Sequence, residues 1–170
     1  MWIRPVEMDD VSGIQLVARE SWMNTYKESY PLEFIMDFLG RAYSTERLEQ
    51  AVKRDLERSE RQFLVAEDST GNIVGYAQVT LGENKTHELA RIYILTTHQG
   101  NGIGRAFITE FRSRINDMDT LTAWVEAANS SGRMFYEKMG FRMINEKIER
   151  FGTYETSLVC YEQKGGSAHV

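Results

Sequence analysis

The spacing of apolar residues switches between helical and extended patterns along the chain. In the first third, apolar residues recur every three or four positions in three stretches, as in helices that bury one face. Asp9 or Asp10, Pro31 and Ser44 stand where these helices begin. The pattern predicts a strand over residues 1–7, helices over about 10–25, 31–39 and 44–56, and strands over 62–67 and 73–81 around a hairpin turn.

Strands alternate with helices in the second half of the chain. An apolar run over residues 89–95 enters a polar turn, and a glycine-rich segment then opens a helical pattern that reaches Ile115. No repeat or linker interrupts the order, so the sequence predicts one domain over residues 1–162. The remaining predicted elements are a strand over 121–125, a helix from Ser130, two strands over 141–150 and 153–161, and a disordered tail over 163–170.

The glycine-rich segment Gln99-Gly-Asn-Gly-Ile-Gly104 predicts an anion site. A strand that enters a helix N-terminus through glycines presents backbone N–H groups, and the helix dipole adds partial positive charge. Glycine also lets the backbone approach a phosphate that a Cβ would obstruct. The segment lacks the Gly-Lys-Ser/Thr ending of a P-loop, and it does not match the dinucleotide fingerprint. The expected ligand is therefore a phosphate-bearing cofactor.

Two motifs in this chain resemble those of the GNAT (Gcn5-related N-acetyltransferase) superfamily. Segment 99–104 resembles the Q-x-x-G-x-G turn that holds the pyrophosphate of coenzyme A. Segment 129–141 resembles the N-x-x-A-x-x-F-Y-x-x-x-G-F motif, with Gly132 in place of the usual alanine. The order of predicted elements matches over roughly residues 3–161. The resemblance implies an α/β (α+β) fold with a single mixed, mostly antiparallel sheet of about seven strands, flanked by about four helices.

The same resemblance implies acetyl-CoA as the cofactor and assigns residues to it. The glycine loop matches the pyrophosphate site, the main chain of residues 92–94 matches the part that pairs with the pantetheine arm, and Asn129 matches a pantetheine contact. The implied cofactor-binding residues are Ile92, Tyr93, Ile94, Gln99, Gly100, Asn101, Gly102, Ile103, Gly104, Arg105, Asn129 and Tyr136.

Acetyl transfer to an amine requires a neutral amine and benefits from an acid. An alkyl ammonium has a pKa of roughly 10, so only about one molecule in a few thousand is neutral at pH 7. A carboxylate can take its proton, and backbone amides of a splayed strand can polarise the thioester carbonyl. Glu88 has the spacing of the family's catalytic glutamate, with His87, ordered water and a merely solvated carboxylate as alternatives. Tyr136 matches the family's general acid, which protonates the departing thiolate.

Composition narrows the range of partners. The net charge of −5 argues against nucleic acid, and no apolar run approaches the roughly 20 residues that span a bilayer. The single cysteine, Cys160, cannot form an internal disulfide, and the histidines are too scattered for a metal site. We therefore predict a cytoplasmic enzyme whose partner is a small-molecule amine, with no nucleic acid, no membrane and no metal; a homodimer stays open.

The expected acceptor is a polyamine or a similar small cationic amine. Segment 22–34 loosely resembles bacterial family members that include polyamine acetyltransferases, and an acidic protein concentrates cations near its clefts. Tyr26 and Tyr30 are available either for cation–π contact or for helix packing. Acetylation of a protein N-terminus or lysine, and a non-catalytic acyl-CoA-binding regulatory module, are the alternative functions. The candidate substrate-binding residues are Trp22, Tyr26, Tyr30 and Glu88.

Overall fold

The structure, a computed structural model, describes residues 1–165 of the chain. Within this range the chain forms five α-helices and seven β-strands, and short 3₁₀ turns precede α1 and α4. The elements are β1 (Trp2–Pro5), α1 (Val11–Tyr26), α2 (Leu32–Ala42), α3 (Thr45–Leu56), β2 (Phe63–Glu67), β3 (Ile73–Leu81), β4 (Thr86–Ile94), α4 (Ile103–Arg114), β5 (Thr120–Glu126), α5 (Ser130–Lys138), β6 (Arg142–Phe151) and β7 (Tyr154–Lys164).

The seven strands form one sheet in the order β1-β2-β3-β4-β5-β7-β6. The pair β4–β5 is parallel, whereas β1–β2, β2–β3, β5–β7 and β6–β7 are antiparallel, which confirms the predicted mixed, mostly antiparallel sheet. Residues 1–165 contain five helices instead of about four, because two sequence signals each start a new helix. Helix α2 begins directly after Pro31, and Ser44 Oγ accepts a hydrogen bond from Arg47 N at 3.2 Å at the start of α3.

The chain forms two compact units, one of residues 1–78 and 91–115 and the other of residues 79–90 and 116 onward. In the first unit, the helices and strands bury the apolar faces that their periodicity predicts. Its fully buried large side chains include Ile14, Ile35, Leu48, Phe63, Tyr76, Phe107 and Phe111. The organisation as one domain over residues 1–162 stays a prediction.

An ion-pair cluster in the first unit corrects the predicted cap of α1. Asp10 stands before α1 but makes no side-chain cap hydrogen bond there. Its carboxylate accepts instead from both terminal nitrogens of Arg4, at 2.8 and 2.9 Å, and from Glu7 N at 2.8 Å. Arg4 Nε also donates to Glu67 at 2.7 Å. These bonds, above all the one to Asp10, raise the pKa of Arg4, so the carboxylate stabilises the half-buried charge of Arg4 and the start of the 3₁₀ turn rather than the first turn of α1.

In the second unit, β7 pairs with β5 on one side and with β6 on the other. Pairing between Thr120 and Lys164 keeps β7 extended to Lys164, so the predicted tail begins later than residue 163. Gln163 Nε2 also donates to Met139 O at 2.7 Å. Residues 166–170 of the predicted tail lie outside the described residues.

Candidate active site

The pairing of β4 with β5 stops early. Its registered pairs are Thr86–Thr120, His87–Leu121 and Glu88–Thr122, although β4 continues to Ile94 and β5 continues to Glu126. Within residues 1–165, no registered pair joins β4 beyond Glu88 to β5.

The glycine loop follows β4 in the first unit and is anchored by hydrogen bonds at its base. Leu95 N donates to Val74 O at 2.9 Å, and Gln99 Nε2 donates to Ile94 O at 3.1 Å. The side chain of Gln99, the first residue of this motif, thus closes the turn. Gly100 and Gly102 both have φ of +81°, a region that side chains with a Cβ rarely adopt.

The N-terminus of α4 is left open. Gly102 precedes the helix and offers no side-chain cap, and the first helical hydrogen bond runs from Ala106 N to Gly102 O at 3.0 Å. The amides of residues 103–105 lie ahead of that bond. A Cβ built on Gly100 or Gly102 meets no protein atom within 4 Å, so the space in front of this turn is open. Uncapped amides facing open space fit a pyrophosphate, with exposed Arg105 beside them.

Residues 92–94 of β4 are half-buried in the first unit. The ring of Tyr93 lies 5.6 Å from that of Tyr76, which packs it onto the neighbouring strand β3. A Cβ on Gly75 of β3 would come within 3.1 Å of Tyr93 O, so the two strands approach closely where the proposed pantetheine segment lies. The side chain of Tyr93 is therefore occupied with packing.

In the second unit, the two candidate bases on β4 differ in accessibility. His87 is 3% exposed, and its Nδ1 is buried without a hydrogen-bond partner. Glu88 is half-buried, and strand alternation directs its side chain to the opposite face from His87. Burial, and secondarily the charge of Glu88, raise the pKa of the Cys160 thiol on β7. Cys160 is therefore the buried, neutral thiol that the sequence suggests.

Asn129 caps α5. Its Oδ1 accepts hydrogen bonds from Gly132 N at 3.0 Å and from Ser131 Oγ at 3.2 Å. A Cβ on Gly132 would come within 2.8 Å of Asn129 Nδ2 and 3.0 Å of a Val125 methyl. Glycine at this position, where the family usually has alanine, lets the cap and the first turn of α5 pack closely.

Tyr136 lies on α5 in a stack of aromatic rings. It is 5% exposed, and its ring is 5.8 Å from Tyr161 and 5.2 Å from both Phe135 and Phe141. Burial raises the pKa of Tyr136 above its ordinary value, so the phenol is neutral at physiological pH. The ring of Tyr136 thus packs onto Tyr161 of β7.

The predicted substrate residues Trp22, Tyr26 and Tyr30 form one aromatic cluster in the first unit. Ring centroids are 4.4 Å apart for Trp22–Tyr26 and 5.8 Å for Tyr26–Tyr30, and Phe34 and Phe38 of α2 extend the series. Trp22 and Tyr30 are 7% and 8% exposed, so both pack α1 against α2, whereas Tyr26 is half-buried. Of the three, Tyr26 has the surface for contact with a cation.

A polar group that the sequence did not reveal connects this aromatic cluster with β4. Tyr76 donates a hydrogen bond to Tyr43 at 2.8 Å, and the guanidinium of Arg91 lies 4.9 Å from the Tyr43 ring centroid. Burial raises the pKa of Tyr43, partly offset by the charge of Arg91 and by the hydrogen bond from Tyr76. The only feature of the sequence that pointed to this polar group was the charged residue Arg91, which alternates with apolar Leu89 and Tyr93.

No group of three or more His, Cys, Asp or Glu residues among residues 1–165 has the arrangement of a metal site. None of the helices described in this range combines the length and the apolar character that crossing a membrane requires.

Comparison with known proteins agrees with this geometry. The family model described as acetyltransferase (GNAT) domain matches residues 26–159. A spermidine N(1)-acetyltransferase of Thermoplasma acidophilum is 31% identical over 144 residues, which cover 83% of this chain and 88% of that protein. An uncharacterised N-acetyltransferase of Bacillus subtilis, YuaI, is 26% identical over 79% of this chain and 76% of its own length. The crystal structure of a PaiA N-acetyltransferase from T. acidophilum in complex with coenzyme A superposes with a TM-score of 0.78 and 26% identity, covering 96% of this chain and 98% of that one.

Proposed function

This chain belongs to the GNAT acetyltransferase family and is an N-acetyltransferase that uses acetyl-CoA, and we propose that its acceptor is a primary amine of a small cationic molecule such as a polyamine. The open N-terminus of α4, which follows β4, is the observation that carries the cofactor assignment. The cytoplasm is the proposed location, because a lone buried cysteine suits a reducing compartment. Residues 1–162 are the proposed acetyltransferase domain.

The proposed cofactor site divides its contacts between backbone and side chains. The amides of residues 100–105 and the side chain of Arg105 hold the pyrophosphate, and Gln99 holds the loop in shape. The main chain of residues 92–94 and the side chain of Asn129 bind the pantetheine arm. When bound, acetyl-CoA supplies the acetyl thioester.

Glu88 is the proposed base that accepts the ammonium proton of the acceptor. Its half-exposed carboxylate can reach a substrate or a bridging water, whereas His87 is enclosed. A base that takes a proton from an amine substrate must be accessible to that substrate. Solvent-side access therefore favours Glu88 over His87.

Tyr136 is the proposed acid for the departing thiolate. Its raised pKa keeps the hydroxyl protonated at neutral pH, so the group is in the donating form when the carbon–sulfur bond breaks. The stack with Tyr161 limits how far the ring can turn.

The acceptor assignment has three supports of unequal weight. The relative from T. acidophilum is named for spermidine N(1)-acetylation and shares 31% identity with this chain. The net charge is −5, and Glu28 and Glu33 near the aromatic cluster are exposed. Asp37 contributes less, because Arg41 pairs with it at 3.0 Å. Tyr26 offers a ring face for a cation–π contact.

Release of free thiol from acetyl-CoA tests this assignment directly. We expect turnover with spermidine or spermine to exceed that with neutral amines or with an N-terminal peptide. Salt screens the attraction between the acidic protein and the cationic substrate. As the salt concentration rises, kcat/KM for spermidine should therefore fall, with a smaller effect on kcat. Activity on a peptide or neutral amine without activity on either polyamine contradicts the acceptor and leaves the acetyltransferase assignment standing.

A further inference from the structure

One row of side chains crosses the sheet of the second unit at the level of Glu88. Glu88 of β4 is registered with Thr122 of β5, and Thr122 is registered in turn with Glu162 of β7. Registered residues of neighbouring strands point to the same face of a sheet, so the two glutamates flank Thr122 on one face. Because adjacent strands lie about 4.8 Å apart, the two Cα atoms are roughly 10 Å from each other. The proposed base therefore has a second carboxylate beside it.

The carboxylate of Glu162 is enclosed but only loosely paired. Its side chain is 13% exposed, and two cations lie near it, Arg142 at 3.6 Å and Lys164 at 3.9 Å. Both distances exceed hydrogen-bond length, and both cationic side chains are exposed. Ion pairs of this kind contribute little to stability. A closer cation would offset the cost of enclosing this carboxylate.

The ring of Trp124 on the same face already carries a cation. Trp124 lies two residues beyond Thr122 on β5 and is half-buried. The ammonium of Lys147, on β6, lies 4.2 Å from the centroid of this ring, which is a cation–π contact. The same ammonium is 3.3 Å from Glu149, and the lysine side chain is 46% exposed. The ring thus accepts an ammonium, and the one that covers it belongs to a flexible, half-exposed side chain.

These charges act together on the buried thiol of Cys160, which is registered with Trp124. Burial, and then the carboxylates of Glu88 and Glu162, raise the pKa of this thiol, whereas the ammonium of Lys147 lowers it. The carboxylates have the larger combined effect at this point of the sheet. A cation that approaches this face is therefore attracted, even with Lys147 in place.

We propose that this face binds the second ammonium group of a diamine or polyamine acceptor. Glu162 and Trp124 hold that group while the first amine meets Glu88, and Lys147 occupies the place of the ammonium until the substrate displaces it. The inference rests on the proposed function and narrows its substrate class to amines with another cation three or four methylenes away. Nitrogens joined in this way are roughly 5–6 Å apart, so each can lie about 2.8 Å from a carboxylate across the gap between β4 and β7.

A diamine and a monoamine of equal length separate binding of the second cation from acetyl transfer itself. We expect kcat/KM of the parent enzyme to be at least about 10-fold higher for putrescine than for butylamine. Glu162→Gln should lower kcat/KM for putrescine roughly 10-fold and leave butylamine within two-fold, because only the diamine loses a charge-assisted hydrogen bond. Trp124→Leu should lower it about three-fold.

Glu146→Gln is the matched control for charge. Glu146 is an exposed carboxylate on β6, registered with Val159, the residue before Cys160, so it lies on the opposite face. It should leave the ratio of the two amines unchanged. A parent enzyme with equal kcat/KM for putrescine and butylamine, or a Glu162→Gln variant that slows both equally, overturns the proposal and leaves the acetyltransferase assignment standing.

Calorimetric titration of spermidine, with coenzyme A present, measures the site without turnover. Glu162→Gln should weaken binding roughly 10-fold, and Lys147→Ala should tighten it about three-fold because the competing ammonium is gone. Lys53→Ala, which removes an exposed lysine on α3, should have no such effect. Equal effects of the two lysine variants, or unchanged binding in Glu162→Gln, overturn the proposal.

Failure of the proposed function gives a different result. In that case none of these amines releases thiol from acetyl-CoA, in the parent or in any variant, while the calorimetric differences among the variants still decide whether this face binds the polyamine. Far-UV circular dichroism confirms that each variant is folded.

Discussion

The strand-to-helix connection β4–α4 and the connection β5–α5 begin their helices in opposite ways. At α4, Gly102 stands at the helix start with no side-chain cap, and open space lies in front of it. At α5, the side chain of Asn129 accepts a hydrogen bond from Gly132 N, and a Cβ on Gly132 would collide with that same cap. One helix start satisfies its amides internally, and the other leaves them for a ligand.

The comparison separates glycines that serve packing from glycines that serve binding. Gly132 is required by its protein neighbours, because no room remains for a side chain. Gly100 and Gly102 have room for a Cβ, so packing does not require glycine there, whereas their positive φ favours it. The proposed roles divide in a similar way, since α4 would contribute backbone amides and α5 the hydroxyl of Tyr136.

The largest expected effect comes from closing the open helix start. Gly102→Val forces a branched side chain into a left-handed conformation and into the space in front of the amides. Loss of about two charge-assisted hydrogen bonds should weaken acetyl-CoA binding roughly 100-fold, or about 2.7 kcal/mol. Isothermal titration calorimetry measures this directly. Gly104→Val, inside the first turn, should act in the same direction.

Gly140→Val is the matched control for backbone strain. Gly140 has φ of +85° and open space around its Cβ direction, but it follows the C-terminal end of α5, where no amides point to an anion. Its thermal stability should fall by a similar amount, with acetyl-CoA affinity unchanged. Equal loss of affinity in both variants would attribute the effect to strain and remove the loop from the cofactor site.

The second prediction concerns Tyr136 of α5, the proposed acid. Tyr136→Phe keeps the ring stack and removes one hydroxyl, so kcat should drop roughly 10- to 100-fold with little change in acetyl-CoA affinity. Because burial raises the pKa of Tyr136, the protonated form persists above pH 10, and the parent enzyme should show no loss of activity from this group up to that pH. Stopped-flow or steady-state thiol release measures both quantities.

Tyr161→Phe is the control for the stack. It removes a hydroxyl that accepts from Arg133 Nε at 3.1 Å and donates to Glu137 at 3.0 Å, next to Tyr136 but not proposed to touch sulfur. We expect Tyr161→Phe to lower the free energy of unfolding and to leave kcat within a few-fold of the parent value. A Tyr136→Phe enzyme as fast as the parent, measured where chemistry limits the rate, would return Tyr136 to a packing role.

The third prediction concerns the base on β4. Glu88→Gln keeps the size and removes the charge, so activity at pH 7 should fall about 10-fold. The deficit should shrink as pH approaches the amine pKa of roughly 10, where the acceptor is already neutral. Glu83→Gln, an exposed carboxylate in the preceding loop, should leave the pH profile unchanged. Parallel profiles for Glu88→Gln and parent would favour His87, water or positioning alone.

Local signals were sufficient to predict both connections. The glycine-rich turn before α4 and the start of a helix at Ser130 were each predicted from neighbours within a few residues. The start of β4 at Thr86 was not predicted, because Thr86 resembles the end of a polar loop and becomes extended through pairing with Thr120. Local sequence does not encode a partner so far along the chain.

Side chains that contact distant residues escaped prediction for the same reason. Asp10 resembles a helix cap, yet its carboxylate is held by Arg4 and the Glu7 amide. Tyr43 and Tyr76 are joined by a hydrogen bond across 33 residues of sequence. The paired carboxylate and the buried hydroxyls depend on how strands and helices pack, which residue spacing alone cannot show.

The smallest expected effect is at the capped helix start. Asn129→Ala removes the acceptor for Gly132 N and Ser131 Oγ, and the free energy of unfolding should fall by about 1 kcal/mol. Asn129→Asp keeps a capping oxygen and should retain most of the stability. If Asn129 also contacts the pantetheine arm, Asn129→Asp should still weaken acetyl-CoA binding a few-fold, because a carboxylate cannot donate as the amide does. Unfolding by denaturant and calorimetric titration separate the two roles. An aspartate variant with parental stability and parental affinity would limit Asn129 to capping and leave the ligand amides to α4 alone.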